Sequence, residues 1–390
     1  MNEEQELRDQ FWTADVPHSR IEVEAMVRAG RKQVARRRAG RAVAGAGLAA
    51  AVLVAVPSVL SRAGAQPAPI AGAGPASTSS AASPGGPCRT TELRVPSGMA
   101  NAKPTAVDPT GRYIVGYSTK KQDFRPILWT DGKPQALPLI AESVQPTAVN
   151  ASGVVVGLAS NGQDDYVFRY ENGQYTKLKT PPGKWHPYPD PAINADGDVV
   201  INAEPQGNVE GKGEISLLWK AGSTTATRLP LPAGADVYDI ADDGTIVGRV
   251  SVGQLAVGYV WDQQGHGRKL ETPAGKSTAA YAVEGDWATG GQWPDLIPAL
   301  WNIRTGQRTK LDVVPPKGKG TLGQDPGPAT AVNASGMIVA GGLVLRDGRK
   351  VALEVPSGES ARAEAAADNG LVVGVSVAPD ESSRPRTWSC

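Results

Sequence analysis

Side chains able to do acid–base, nucleophilic or metal chemistry are thinly spread along this chain. Its 390 residues hold three histidines, His18, His186 and His266, and two cysteines, Cys88 and Cys390. The histidines are scattered between an N-terminal head, a loop and a Gly turn, so no His-based metal site or triad assembles from them. No Gly-x-Ser-x-Gly elbow or phosphate-binding loop occurs. Catalytic residues, cofactor and metal are therefore all expected to be none. Asn194-Ala195-Asp196-Gly197-Asp198 resembles the start of a calcium loop, but the distal Glu that completes such a ligand set is missing, and the segment is read as a turn. What remains is aromatics beside carboxylates: Trp185, Tyr188 and Asp190 in one segment, Trp293 and Asp295 in another. Such groups suit glycan or peptide binding by stacking and hydrogen bonding. The alternative is that these aromatics cap a hydrophobic rim.

The elements that position these residues are set by a repeat. A ten-residue phrase, Ala148-Val149-Asn150-Ala151-Ser152-Gly153-Val154-Val155-Val156-Gly157, has further copies ending near Gly116, Ile201, Gly248, Gly341 and Gly374. Each copy is followed by an apolar run ending in an aromatic, a Gly turn and a Leu, as in Ile127-Leu128-Trp129-Thr130-Asp131-Gly132 through Leu137. The anchor falls at Trp129, Tyr170, Trp219, Trp261, Trp301, Leu345 and Trp388, at intervals of 41, 49, 42, 40, 44 and 43 residues. Units of this length, each reading as four short strands, predict an all-β, seven-bladed β-propeller of four-stranded antiparallel blades over 88–390. In unit two the strands are expected at Thr147 to Asn150, Val154 to Leu158, Tyr166 to Tyr170 and up to Leu178, with a variable loop from Ala159 to Asp165. Unit five is degenerate, Ala282-Val283-Glu284-Gly285-Asp286-Trp287 being short of the full phrase.

The seventh unit is divided. After Trp388 the sequence has only Ser389-Cys390, without the turn and fourth strand of the other units, whereas Leu93-Arg94-Val95-Pro96-Ser97-Gly98 matches the phrase that closes a unit, as in Leu353-Glu354-Val355-Pro356-Ser357-Gly358. A strand around Thr90 to Val95 is expected to complete blade seven and leave no free sheet edge. Cys88 and Cys390 then flank the missing turn, which predicts a disulfide between them in an oxidising compartment. Both tight turns of each blade fall on one face. The loops between strands two and three, and between blades, fall on the other, where function is expected.

Ahead of the repeats, residues 42–61 are uncharged and mostly apolar, long enough to span a bilayer as a helix. Seven basic residues lie between Arg28 and Arg41, which predicts a cytosolic N-terminus and an extracellular propeller. A signal peptide cleaved after Ala63-Gly64-Ala65 is the rival. Residues 1–41 read as a cytosolic head with a basic helix from about 20 to 38, and 62–87 as a flexible Ala/Gly/Pro/Ser linker. From Cys88 onward 30 basic and 32 acidic residues leave a near-neutral body, which excludes a nucleic-acid groove there.

Ala-x-Asn-x-x-Gly-x-Val-Val-Gly alternating with an apolar-aromatic strand and a Gly turn resembles the bacterial extracellular HAF-type repeats, over about residues 88 to 390. The resemblance implies an exported β-propeller and brings no catalytic residue. The reading is thus a single-pass membrane protein whose extracellular propeller binds a cell-envelope glycan or protein on its variable-loop face. A propeller enzyme acting on cell-wall glycan, and a sensor signalling through the cytosolic helix, are the alternatives.

Overall fold

The structure, a computed structural model, describes residues 87–390 apart from 121–122, 163, 189, 209–212, 314–326 and 342. The segments expected as a cytosolic head and a membrane span, and all of the expected linker but Pro87, lie outside the described residues. Within the described residues the chain forms seven antiparallel sheets, six hydrogen-bonded in sequence order from the innermost strand outward and the seventh taking its outermost strand from Arg89–Glu92. Blade one shows the pattern: Ala102–Val107, Tyr113–Lys120, Asp123–Thr130 and Lys133–Ala136. This is the seven-bladed propeller the repeat predicts.

The core is a ring of layers between neighbouring blades rather than one central mass. Val156 and Val167 of blade two pack with Val199 and Leu217 of blade three, and Leu300 of blade five packs with Ile338 and Leu345 of blade six. The seven anchors, Leu345 included, are all buried at the end of the third strand. Three of the indoles also tie blades together. Trp129 Nε1 donates to Arg94 O at 2.6 Å, Trp301 Nε1 to Glu271 O at 2.8 Å and Trp388 Nε1 to Glu354 O at 2.7 Å. Each acceptor directly follows the Leu that ends the preceding blade: Leu93, Leu270 or Leu353. A buried donor is thereby satisfied at each junction.

The repeated Asn has a comparable double role. Asn150 Oδ1 accepts from Ser152 N and Val154 N of its own turn, while its Nδ2 donates to Asn194 O of the next blade at 3.1 Å. Asn194 and Asn333 repeat the latch onto Ala241 O and Ala367 O. Where Ala241 and Ala367 replace the Asn, the following Asp reverses the bond: Asp242 accepts from Ala195 N and Asp368 from Ala334 N, each at 2.7 Å.

Blade seven closes as expected. Arg89–Glu92 pairs antiparallel with Ser383–Ser389, Arg89 opposite Ser389 and Glu92 opposite Arg386. The strand starts one residue earlier and ends sooner than Thr90 to Val95, although Leu93 N still donates to Pro385 O at 3.0 Å. The Cys88–Cys390 disulfide spans Cα atoms 4.4 Å apart and 302 positions of sequence.

One expectation needs correction, and one irregular unit proves regular. The loop from Ala159 to Asp165 is largely strand, with Ser160 opposite Asp165 and Asn161 opposite Asp164, because the backbone ladder continues where the side chains alone signal none. Unit five is a complete blade. Glu284 pairs directly with Trp287 across Gly285, whose φ of 55° makes the tight turn that the shortened phrase requires.

Candidate functional site

The last residue of the repeated phrase builds the site. In five blades a Gly of the second strand faces the inner strand where the ladder skips one residue. The pairs are Pro104 with Gly116, Pro146 with Gly157, Val237 with Gly248, Ala280 with Gly290 and Ala363 with Gly374. A Cβ on any of these glycines would overlap the inner strand's carbonyl oxygen, that of Asp236 in the case of Gly248. The skipped residue is a β-bulge, which re-aims its side chain. The five bulge residues, Thr105, Thr147, Tyr238, Tyr281 and Glu364, all line one central cavity of about 1110 Å³. Blades three and six have Ile201 and Ala340 in place of the Gly, and their innermost ladders there are only two residues long, at Ala192–Ile193 and Ala331–Val332. Blade three breaks its inner strand between Trp185–Pro187 and Ala192–Ile193 instead.

Charge divides the channel along its axis. At the loop-face end Lys103 Nζ pairs with Glu364 Oε1 at 2.7 Å, and Arg362 lines the same level. Toward the turn face the lining is acidic, with Asp239, Asp242, Glu284 and Asp368. Burial, then the charges of Asp368, Asp242 and Asp239, push the Glu284 carboxyl up to about 7. One wall is aromatic: the Tyr238 and Tyr281 rings meet edge-on at 5.0 Å, and Trp293 stands edge-on behind Tyr281 at 6.0 Å. Tyr117 and Phe124, 4.4 Å apart, lie on the blade-one side.

A second polar cluster adjoins the channel. The Tyr188 hydroxyl lies 3.0 Å from Glu204 Oε2 and 3.1 Å from Glu214 Oε2. A phenol has one proton, so satisfying both contacts requires a proton on one carboxyl. Burial, reinforced by the nearby Asp236 charge, pushes Glu214 up to about 8, which identifies it as the protonated partner. Burial and the two carboxylates raise Tyr188 well above the usual phenol range. Asp236 in turn pairs with Arg249 and accepts from Tyr238 Oη at 3.3 Å, linking the cluster to the channel wall.

The residues singled out from sequence fall at several places. Trp185 is part-buried against the core between blades two and three, which is the rim-capping alternative. Tyr188 belongs to the carboxyl cluster and Asp190 lines the channel. Trp293 backs the aromatic wall, while Asp295 sits near the surface, bound by Lys276 at 3.0 Å. Sequence reasoning missed the bulge residues. Their signal was present: the third position before the Asn of the phrase varies among Thr, Tyr, Pro and Glu, while the residue before it is Pro, Val or Ala and the residue after it Ala in six of the seven units each.

No protein-family model matches the chain, and no curated protein is similar to it. Among solved structures it is similar to oligogalacturonate lyase from Vibrio parahaemolyticus, at 10% identity over 77% of this chain and 93% of that one, with a TM-score of 0.55. Streptogramin B lyase aligns at 13% identity over 77% and 98%, with a TM-score of 0.50. The β-propeller domain of the Trilobed protease from Pyrococcus furiosus aligns at 12% over 74% and 95%, also at 0.50. These likenesses place the chain in the β-propeller fold class and carry no activity with them.

Proposed function

We propose that this protein is a membrane-anchored extracytoplasmic propeller that binds a cell-envelope glycan or protein at the loop-face mouth of its channel. The observation that supports this is the cavity of about 1110 Å³, built by bulges that place varied side chains on an otherwise repetitive frame. The chain enters the ring at Cys88, joined to Cys390, whose N–H bonds Gly370 O in a turn-face hairpin. With the anchor expected at 42–61, the linker joins the ring at Pro87 on the turn face, opposite the loop-face mouth. Asp190 lines the channel, Tyr188 sits in the carboxyl cluster with Glu204 and Glu214, and Trp293 stands behind Tyr281.

The test is capture of envelope components by the full chain compared with Gln145→Trp, which narrows the mouth. Loss of a specific component in the variant is expected. Equal capture by both proteins would remove the channel from the reading.

The enzyme alternative, acting on cell-wall glycan, is supported by one observation. Glu214 holds a proton near neutral pH beside Glu204, the arrangement a general acid needs. Glycan cleavage that disappears in Glu214→Gln would favour it over binding alone.

A further inference from the structure

Several hydrogen-bond donors in the channel lining are spent on the protein itself. Thr105 Oγ1 lies 3.0 Å from Pro146 O and 3.2 Å from Val115 O, so its proton is given to a backbone carbonyl. Thr147 Oγ1 is committed in the same way to Pro191 O at 3.1 Å, and Thr330 Oγ1 to Glu364 O at 3.4 Å. Each hydroxyl, its proton spent, keeps only acceptor capacity for anything inside the channel. The carboxamide of Asn150 is likewise consumed by its turn and by the latch to Asn194. Side-chain charge runs the same way: two cations against six carboxylates line the cavity, and one of the cations, Lys103, is paired with Glu364. The aromatic wall adds two phenol rings whose faces favour a cation.

From hydroxyls left with acceptor capacity, an excess of negative charge and an aromatic wall, we propose that the channel takes an alkylammonium ligand. Its ammonium would lie among Asp242, Glu284 and Asp368, with its chain along Tyr238 and Tyr281. Tyr281 and Glu284 are three positions apart on one strand, about 10 Å, which suits a chain carrying amines some carbons apart. A carboxylate-bearing ligand is disfavoured, Arg362 at the loop-face end being the one lining cation without an ion pair among the described residues. The inference rests on the channel-binding reading and names its ligand chemistry, which either a free polyamine or a lysine side chain of a peptide supplies.

Isothermal titration of the full chain with spermidine, with N-acetyl-lysine methylamide and with trigalacturonate, at 150 mM salt, tests it. Spermidine is expected to bind, with affinity falling at least tenfold in Glu284→Gln/Asp368→Asn and several-fold in Tyr281→Ala, while Arg362→Gln binds as well or better. Binding of the lysine derivative with the same variant dependence identifies the peptide source, and binding of spermidine alone the free amine. Asp368→Asn keeps the oxygen that accepts from Ala334 N, and a cooperative thermal transition no lower than the parent's confirms that the variant is folded. Spermidine that does not bind, or binds the double variant equally, overturns the inference. Binding of trigalacturonate in place of the amines overturns the cationic class but leaves channel binding standing. Failure of envelope capture, by contrast, removes channel binding itself.

Discussion

Gly248→Ala tests the connection between the repeat and the channel. The added Cβ would overlap the Asp236 carbonyl oxygen and lie 2.9 Å from its carbon and 3.0 Å from Val237 Cα. All three atoms are backbone, so no side-chain rotation relieves the overlap; the inner strand has to retreat by roughly 1 Å from contacts a packed interior does not stretch. Overpacking of this kind costs about 1–3 kcal/mol. Opening the bulge weakens adjacent ladder bonds at about 1 kcal/mol each. A total near 3 kcal/mol is expected, which for a domain of this size lowers the melting temperature by roughly 6–12 °C. Gly132→Ala is the control. Gly132 has a φ of 72° but nothing within 4 Å of a built Cβ, so the variant bears only the left-handed penalty of about 1–2 kcal/mol. Ala340→Gly, in a blade whose second strand has Ala at the Gly position, should cost about 1 kcal/mol or less. Thermal unfolding followed by circular dichroism ranks the three. If Gly248→Ala melts within 2 °C of the parent, or no lower than Gly132→Ala, the bulge does not require its glycine and the account of the channel wall fails.

Three further outcomes follow from the same contacts. Cys88→Ser/Cys390→Ser opens a loop of 302 positions; on the chain-entropy model it should lose about 5 kcal/mol, seen as a fall in the urea midpoint, and an unchanged midpoint would refute the closure role. Trp129→Phe leaves the Arg94 carbonyl without its indole donor, whereas Trp219→Phe removes an Nε1 that is buried and already without a partner. The first should therefore cost about 1 kcal/mol more than the second in equilibrium unfolding. The folded state raises Glu284 from 4.5 to about 7, so its contribution is most favourable below pH 4.5 and is lost as pH rises through 7. Glu284→Gln should accordingly flatten the fall in stability between pH 5 and 7 and exceed the parent above pH 7, on the order of 1 kcal/mol after solvent screening; parallel pH profiles for the two proteins would contradict this.

The number of blades, their strand order, the anchors from Trp129 to Trp388 and the division of blade seven between the two ends of the ring were all legible in the sequence. Each depends on local chemistry repeated at a fixed interval: a Gly that turns a hairpin, an apolar strand, a buried aromatic, a Leu followed by Pro. The Cys88–Cys390 pairing was legible because the repeat supplied a template that showed what was missing between them. Strand length was less so. The pairing of Ser160 with Asp165 and of Asn161 with Asp164 is backbone pairing between polar residues, and polar side chains leave no hydrophobic trace of it.

Tertiary structure decided where the chemistry sits. Sequence reasoning looked to exposed aromatics, but Trp185 is held against the core and Asp295 is held by Lys276, while the channel is lined by residues that read as ordinary strand positions. A residue's facing in a strand follows from alternation, and a bulge breaks alternation at one point, sending Tyr238, Tyr281 and Glu364 inward. Likewise, Asp239, Asp242, Glu284 and Asp368 come from three units spread over 130 positions of sequence, and each is unremarkable in its own turn. Only closing the ring buries Glu284 and sets the other carboxylates beside it, which together push its carboxyl up to about 7. The repeat thus fixed the frame from local periodicity, and the site arose where closure set side chains from separate blades against one another.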